Sequence, residues 1–272
     1  MHKYIDIVSC VLAYGEIRSN RTGTDTLSMF NFNYQIDLAD GFPLLTTKKI
    51  SWKNIVAELV WFLSGDPKTT ILDRHECKFW KPWTNEHGYV PSAYGKYWRD
   101  YPSQNGSIDQ LWYAVWKLLK NPNDRRAVVS AWEPGNALIS DLPPCHAFFV
   151  LTTHDGRLNL HLTQRSCDVG LGLPYNIASY GLLIHILAGI LHIEPGVFAH
   201  SIVDAHVYVN HIPALEEQIT RPPYNLPTLN MDPILGWNDV TALCALETDD
   251  LMDRFKLENY QHHPAIKLEV AA

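Results

Sequence analysis

Cys145 closes the run Leu142-Pro143-Pro144-Cys145-His146. Two prolines fix the chain just before a strand and leave the thiol at its mouth, the setting of a candidate nucleophile. Only the thiolate attacks, so such a cysteine needs a cation or a hydrogen-bond donor nearby. His146 is adjacent, but neighbours on a strand face opposite ways, so it is not expected to be the direct base. The other reading of Cys145 is a buried, inert thiol. Glu58 lies in Ile55-Val56-Ala57-Glu58-Leu59-Val60-Trp61-Phe62-Leu63. Its helical neighbours Ile55, Trp61 and Phe62 are apolar, and a carboxylate there must be paired or protonated. Burial would raise its pKa into the range useful for proton transfer, whereas an ion pair with a distant Arg would make it structural.

Three sets of arginines stand in turns or at strand ends: Arg21 in Arg21-Thr22-Gly23-Thr24, the doublet Arg125-Arg126, and Arg165 in Gln164-Arg165-Ser166. The guanidinium fork matches phosphate oxygens, so their convergence would bind a compact dianion, with Ser166 adding a hydroxyl; apart, they are surface arginines. Asn176 opens a long apolar stretch, either as a helix cap or as an amide that reads an imide edge. In Asp204-Ala205-His206-Val207-Tyr208 the period of two puts His206 and Tyr208 on one strand face, suited to a sugar hydroxyl or to a half-buried polar strand. Phe79-Trp80-Lys81-Pro82-Trp83 offers aromatics for stacking a flat heterocycle or for the core. His262-His263 lacks partners at metal-ligand spacing and reads as surface.

The elements that must position these residues follow from periodicity. Tyr4, Ile7, Val8, Val11 and Leu12 predict a first helix ended by Gly15. A loop over Arg18–Thr26 leads to a strand over Leu27–Ile36, and Ser51 caps a helix to about Leu63. Ser107 is expected to start a third helix with Ile108, Leu111, Trp112, Val115 and Leu119 on one face. Ala127–Trp132 reads as a strand, and Ala147–Thr153 and Arg157–Gln164 pair around the turn signal Asp155-Gly156. A long helix runs from about Ile177 to His192, followed by a strand from Val197 to about Val209. Helices and antiparallel strands mix without a βαβ rhythm, which predicts a single α+β domain over 1–272. No Walker loop or Gly-x-Gly-x-x-Gly is present, which argues against ATP and Rossmann-type cofactor sites.

Composition narrows the class. The 272 residues are 46% hydrophobic and 19% charged with a net charge of −7, which fits a folded domain and argues against coating nucleic acid. Met1–Leu12 carries Asp6 within its apolar stretch, unlike a secretory signal. The stretch Ile177–Ile193 contains Ser179, His185 and His192 and falls short of the roughly 20 residues a bilayer needs, so a buried helix rather than a membrane span is expected. Five scattered cysteines without Cys-x-x-Cys suggest neither disulfides nor a zinc site, and a reducing, cytoplasmic setting is the expectation.

Taken together and in this order, the segments resemble the thymidylate synthase family. The likeness covers essentially the whole chain, through Arg21-Thr22-Gly23-Thr24, Glu58–Leu63, Trp80 with Trp83, Tyr94-Gly95, Arg125-Arg126, Pro143-Pro144-Cys145-His146, Gln164–Asp168, Leu171–Ala178, Asp204 with His206 and Tyr208, and the tail Lys267–Ala272. It implies a large mixed, mostly antiparallel sheet packed by helices, with one sheet face forming a homodimer interface. The implied reaction is reductive methylation of dUMP to dTMP, with methylenetetrahydrofolate giving both carbon and hydride and no metal.

On this resemblance Cys145 adds to carbon 6 of uracil, and Arg165 lowers its pKa and holds the phosphate. Asn176 reads the base, Glu58 shuttles protons, and Tyr94 and Asp168 complete the catalytic set. Arg21, Arg165, Ser166, Gln164, His206 and Tyr208 bind the nucleotide, joined by Arg125 and Arg126 from the second subunit. Trp80, Trp83, Asp168, Leu171, Gly172, Tyr175 and Ala271 form the folate site, closed by the tail from Val270. Gly170, Val203, Tyr175 and Thr163 depart from the usual family residues. Gly170 keeps open the related pyrimidine hydroxymethylase, which adds water in place of hydride. A non-catalytic RNA-binding regulator is the reading from another class, opposed by the net charge.

Overall fold

The computed structural model describes residues 1–138 and 140–270. Its helices are α1 (His2–Tyr14), α2 (Trp52–Ser64), α3 (Thr70–Arg74), α4 (Tyr94–Arg99), α5 (Gln110–Lys120), α6 (Pro134–Ala137), α7 (Gly172–Leu191), α8 (Ile212–Thr220), α9 (Trp237–Leu243) and α10 (Thr248–Arg254). The strands of the main sheet are β1 (Glu16–Arg18), β2 (Thr26–Asp37), β5 (Val128–Ser130), β6 (His146–His154), β7 (Arg157–Gln164), β8 (Cys167–Asp168) and β9 (Glu194–Tyr208). Two small hairpins lie apart, β3 (Tyr101–Ser103) with β4 (Gly106–Ile108), and β10 (Thr228–Met231) with β11 (Phe255–Glu258).

The main sheet has the order β1-β2-β9-β7-β6-β5, with β8 paired to β9 off this path. Its pairs are antiparallel except β7–β9 and β8–β9, so the sheet is mixed as expected. Asp155 and Gly156 both take positive φ, 50° and 72°, in the turn that joins β6 to β7. Leu158, Leu160 and Leu162 are buried along β7, as their alternation requires.

Helix α7 packs on the sheet and carries a continuous apolar surface, with Leu173, Ile177, Leu182, Leu183, Ile184 and Leu187 fully buried. Length and composition alone would let it cross a bilayer, but 78% of its most apolar window is buried inside the protein. α2 buries Ile55, Val56, Leu59, Val60, Trp61 and Phe62. Ser51 occupies its N-cap position without making a side-chain cap bond, so packing holds this helix start.

The third helix differs from expectation. Ser107 belongs to β4, and the helix starts at Gln110 with Asp109 accepting from the Trp112 N–H at 2.9 Å. Its buried face is Leu111, Ala114, Val115 and Leu118, whereas Ile108, Trp112 and Leu119 are exposed. The short strand β1 also lies partly in the stretch read as loop. His262 and His263 are half-buried, and His263 Nε2 lies 2.8 Å from the Pro222 carbonyl, so they tack the tail down.

One irregularity in β9 bears on the site. Alternate residues from Gly196 to Ile202 are buried, then the phase slips, and Ala205 and Val207 take the buried places. The slip lies opposite Asn31 of β2, which has φ 61°, between the partner pairs Phe32–Ile202 and Phe30–Asp204. Unbroken alternation would have buried Asp204, His206 and Tyr208. The register is the same on both sides of the break, where Asn31 and Val203 each drop out of the pairing.

Candidate active site

Two adjoining cavities share Trp83, Leu171, Gly172 and Val270 in their walls. The smaller, about 370 Å³, has Cys145, Arg21, Arg165, Ser166, His206 and Tyr208 in its wall. The larger, about 980 Å³, is walled by Glu58, Phe79, Trp83, Tyr175 and Asn176 among others.

Cys145 is held by its backbone. Its N–H donates to the Tyr94 hydroxyl at 3.1 Å, and its carbonyl accepts from the Arg165 N–H at 2.9 Å. Tyr94 reaches this point because α4 packs directly on α2. A Cβ on Gly95 would sit 2.2 Å from the Phe62 carbonyl oxygen, so only glycine allows the approach. His146 turns away from the thiol and stacks on Tyr94, ring centroids 4.6 Å apart. Burial lowers its pKa to about 4 against a hydrogen bond to Asn176, which leaves it neutral and unsuited as a base at neutral pH.

The Arg165 guanidinium donates to the Pro144 carbonyl from Nε at 3.0 Å and to the Pro143 carbonyl from Nη2 at 2.6 Å. The two prolines thus serve Arg165 as much as Cys145. Arg165 acts to lower the thiol pKa, as expected, but burial outweighs it. Burial pushes the Cys145 thiol up, and Arg165 and Arg21 offset that only in part.

Arg21 is presented by a turn that ties itself together. The Thr22 N–H and hydroxyl both donate to Asn20 Oδ1, at 2.9 and 2.6 Å, and Asn20 Nδ2 donates to the Thr24 carbonyl at 2.7 Å. Across the cavity, Asp204 gathers Ser28, Ser166, His206 and Arg18. The Ser166 hydroxyl donates to Oδ2 at 3.4 Å, His206 Nδ1 is 3.4 Å from Oδ2, and Arg18 Nη1 is 3.6 Å from Oδ1. Burial alone would raise this carboxyl, but the His206 and Ser28 hydrogen bonds and the nearby charges outweigh it and hold it at about 2. Arg18 and Ser28 escaped the sequence reading, since neither stands in a recognisable pattern.

Asn176 lies within the second turn of α7 rather than at its cap. Gln164 Nε2 donates to its Oδ1 at 3.3 Å and to the Ser166 carbonyl at 2.9 Å. Gln164 is itself 3% exposed and lines neither cavity, so it stands behind the site and orients two residues that line it.

Glu58 lines the larger cavity and accepts from Trp80 Nε1 at 2.7 Å. Burial raises its pKa to about 7, opposed by the Trp80 hydrogen bond, and no Arg pairs with it among the described residues. Trp80 does not line either cavity. It is buried against Trp61, Phe62, Tyr94 and Trp83, and supports Glu58 from beneath. Phe79 packs edge-on against Tyr175 at 4.9 Å.

Asp168 Oδ1 accepts the N–H groups of Gly170 and Leu171, both at 2.9 Å. Lys48, 3% exposed, donates to the Gly170 carbonyl at 2.7 Å, and burial lowers its pKa to about 8 with Asp168 opposing. Lys48 was not singled out from sequence, where it is one of two lysines ending the uncharged stretch Gly41–Thr47. Arg125 and Arg126 are exposed and line neither cavity of this chain. Ala271 lies outside the described residues. Among the described residues, no group of three or more His, Cys, Asp or Glu is placed to hold a metal.

The arrangement sets a cavity that holds a cysteine and two arginines beside a larger one walled by aromatic side chains and a buried carboxyl. The family model described as thymidylate synthase matches residues 2–272. The chain belongs to the thymidylate synthase family, an assignment that carries folate-dependent transfer chemistry in nucleotide biosynthesis.

Proposed function

We propose that the protein converts dUMP to dTMP, with methylenetetrahydrofolate as donor of both the carbon and the hydride. The observation that carries this reading is the pair of cavities joined through Trp83, Leu171, Gly172 and Val270, with Cys145 in one and Asn176 and Glu58 in the other. Arg21, Arg165 and Ser166 suit a phosphate, and His206 and Tyr208 suit the sugar. Asn176 offers an acceptor and donors to the uracil edge, and the amino-bearing edge of cytosine would match it poorly.

In this reading Cys145 Sγ bonds to carbon 6 of uracil while charge moves to oxygen 4. Carbon 5 then becomes nucleophilic and takes the one-carbon unit. Arg165, with Arg21, opposes the burial that keeps Cys145 protonated and so favours the thiolate that attacks. Glu58, with a pKa near neutrality, gives and takes the proton at oxygen 4 and assists loss of the carbon 5 proton. Loss of the carbon 5 proton and elimination of tetrahydrofolate leave an exocyclic methylene; hydride transfer from tetrahydrofolate then completes the methyl group, expels Cys145 Sγ from carbon 6 and leaves dihydrofolate.

A second copy of the chain supports the site in this proposal. Phe30 on β2 is 82% exposed, and Phe148 and Val128 are partly exposed on β6 and β5, which suits a sheet face covered by a partner. Arg125 and Arg126, directed to neither cavity of their own chain, are proposed to serve the partner's phosphate. Incubation with dUMP and methylenetetrahydrofolate is expected to form dihydrofolate and dTMP in equal amounts. A hydroxymethyl nucleotide with no dihydrofolate would replace this proposal with the hydroxymethylase reading.

A further inference from the structure

The wall shared by the two cavities ends in the tail, and the tail is tied to the body of the protein by hydrogen bonds. The His263 N–H donates to the Thr46 carbonyl at 2.8 Å, and Arg221 Nη1 donates to the Pro264 carbonyl at 2.9 Å. Further along, His211 Nε2 donates to the Glu269 carbonyl at 2.8 Å. Between these ties lies Leu268, whose Cδ1 is 3.3 Å from the point where a Cβ on Gly170 would stand; Leu215 Cδ1 is 3.2 Å from the same point.

Gly170 has no positive φ, so its backbone does not call for glycine. What matters is the missing side chain. Its place is a notch roofed by Leu268 and walled by Leu215, and its backbone is clamped by Asp168 on the N–H side and Lys48 on the carbonyl side.

We propose that Leu268 is a positioning residue, which by occupying the notch at Gly170 sets the tail so that Val270 walls both cavities. The role rests on the reading of those cavities as nucleotide and folate sites. The notch and its occupant compensate each other: the bulk missing from position 170 is supplied by position 268. Water is thereby kept from the junction where hydride must arrive, which favours methylation over hydration.

The test exchanges the side chains across the contact. Leu268→Ala empties the notch, Gly170→Leu fills it and expels Leu268, and the double variant Gly170→Leu/Leu268→Ala restores one leucine to the pair. Amide hydrogen exchange over residues 267–270 is read in the ligand-free protein. Each single variant is expected to speed exchange there about tenfold, and the double variant to return to within about threefold of the parent. In turnover, Leu268→Ala is expected to raise the KM for methylenetetrahydrofolate several-fold more than it lowers kcat, with hydroxymethyl product rising from the baseline.

Unchanged tail exchange in Leu268→Ala would overturn the proposal, as would a double variant no better protected than the singles at equal thermal stability. If Gly170→Leu fails to fold, Leu268→Ala decides alone, since its site lies near the chain end outside the main core. Tail exchange that responds as expected in a protein without dTMP formation would remove the reaction proposed above and leave the latch standing. The reverse result would remove only the latch.

Discussion

The two cavities are built on opposite plans. In the smaller one, several groups are fixed by polar contacts: the Cys145 backbone by Tyr94, Arg165 by the Pro143 and Pro144 carbonyls, and His206 and Ser166 by Asp204. In the larger one, position comes from packing: Trp80 wedged under Trp83, Phe79 against Tyr175, and Val270 held by a tail contact. Hydrogen bonds fix direction, as bond-making at a chosen atom demands. Packing fixes shape, which suffices for a flat ring held by its faces and tolerates a tail that closes the wall. Single changes should therefore act nearly all-or-none in the first cavity and by degrees in the second.

The largest effect should come from Cys145→Ser. We expect turnover to fall by about four orders of magnitude while dUMP binding, followed by calorimetry, changes by no more than a few-fold. A loss of binding as large as the loss of rate would make Cys145 a structural member of the cavity and erase the contrast.

Glu58→Gln, at the border between the two plans, should lower kcat by about a hundredfold to a thousandfold and remove the acid limb of the pH–rate profile. The same substitution reports on stability. The Glu58 carboxyl is raised to about 7 in the folded protein from an ordinary value of 4.5. Its contribution to stability is therefore fully present below pH 4.5 and is lost as pH rises through about 7. The Gln variant should melt above the parent by about 2–5 °C at pH 8, with the difference vanishing near pH 4.5. A constant difference across that range would show that the shift is absent.

Asn176→Asp should have the smallest effect on rate and the clearest effect on choice. Discrimination between dUMP and dCMP, measured as the ratio of kcat/KM, should shrink by about a hundredfold. A variant that rejects dCMP as strongly as the parent would move base reading elsewhere.

Much of this was legible before the structure. The β6–β7 hairpin announced itself through Asp155-Gly156 and the leucine alternation, and the apolar period marked α1, α2 and α7. Glu58 stood out because a carboxylate among Ile55, Trp61 and Phe62 has no cheap explanation. The face of α5 was misread because Trp112, Tyr113 and Trp116 add apolar residues on its exposed side, which leaves periodicity with two faces to choose from. Gln164 and Trp80 looked like ligand contacts but stand one layer back, and composition does not distinguish a wall from its support. The Cys145 thiol is governed by burial more than by its arginines, and burial depends on chain segments far apart in sequence.

The slip in β9 has a consequence for how such a site is read. His206 and Tyr208 follow a break in the burial pattern of β9 that faces Asn31, an exposed residue on a neighbouring strand that lines neither cavity. A survey confined to atoms near the ligands would pass over it. The setting of those two side chains thus includes a backbone irregularity shared by two strands, one that a list of contact residues does not record.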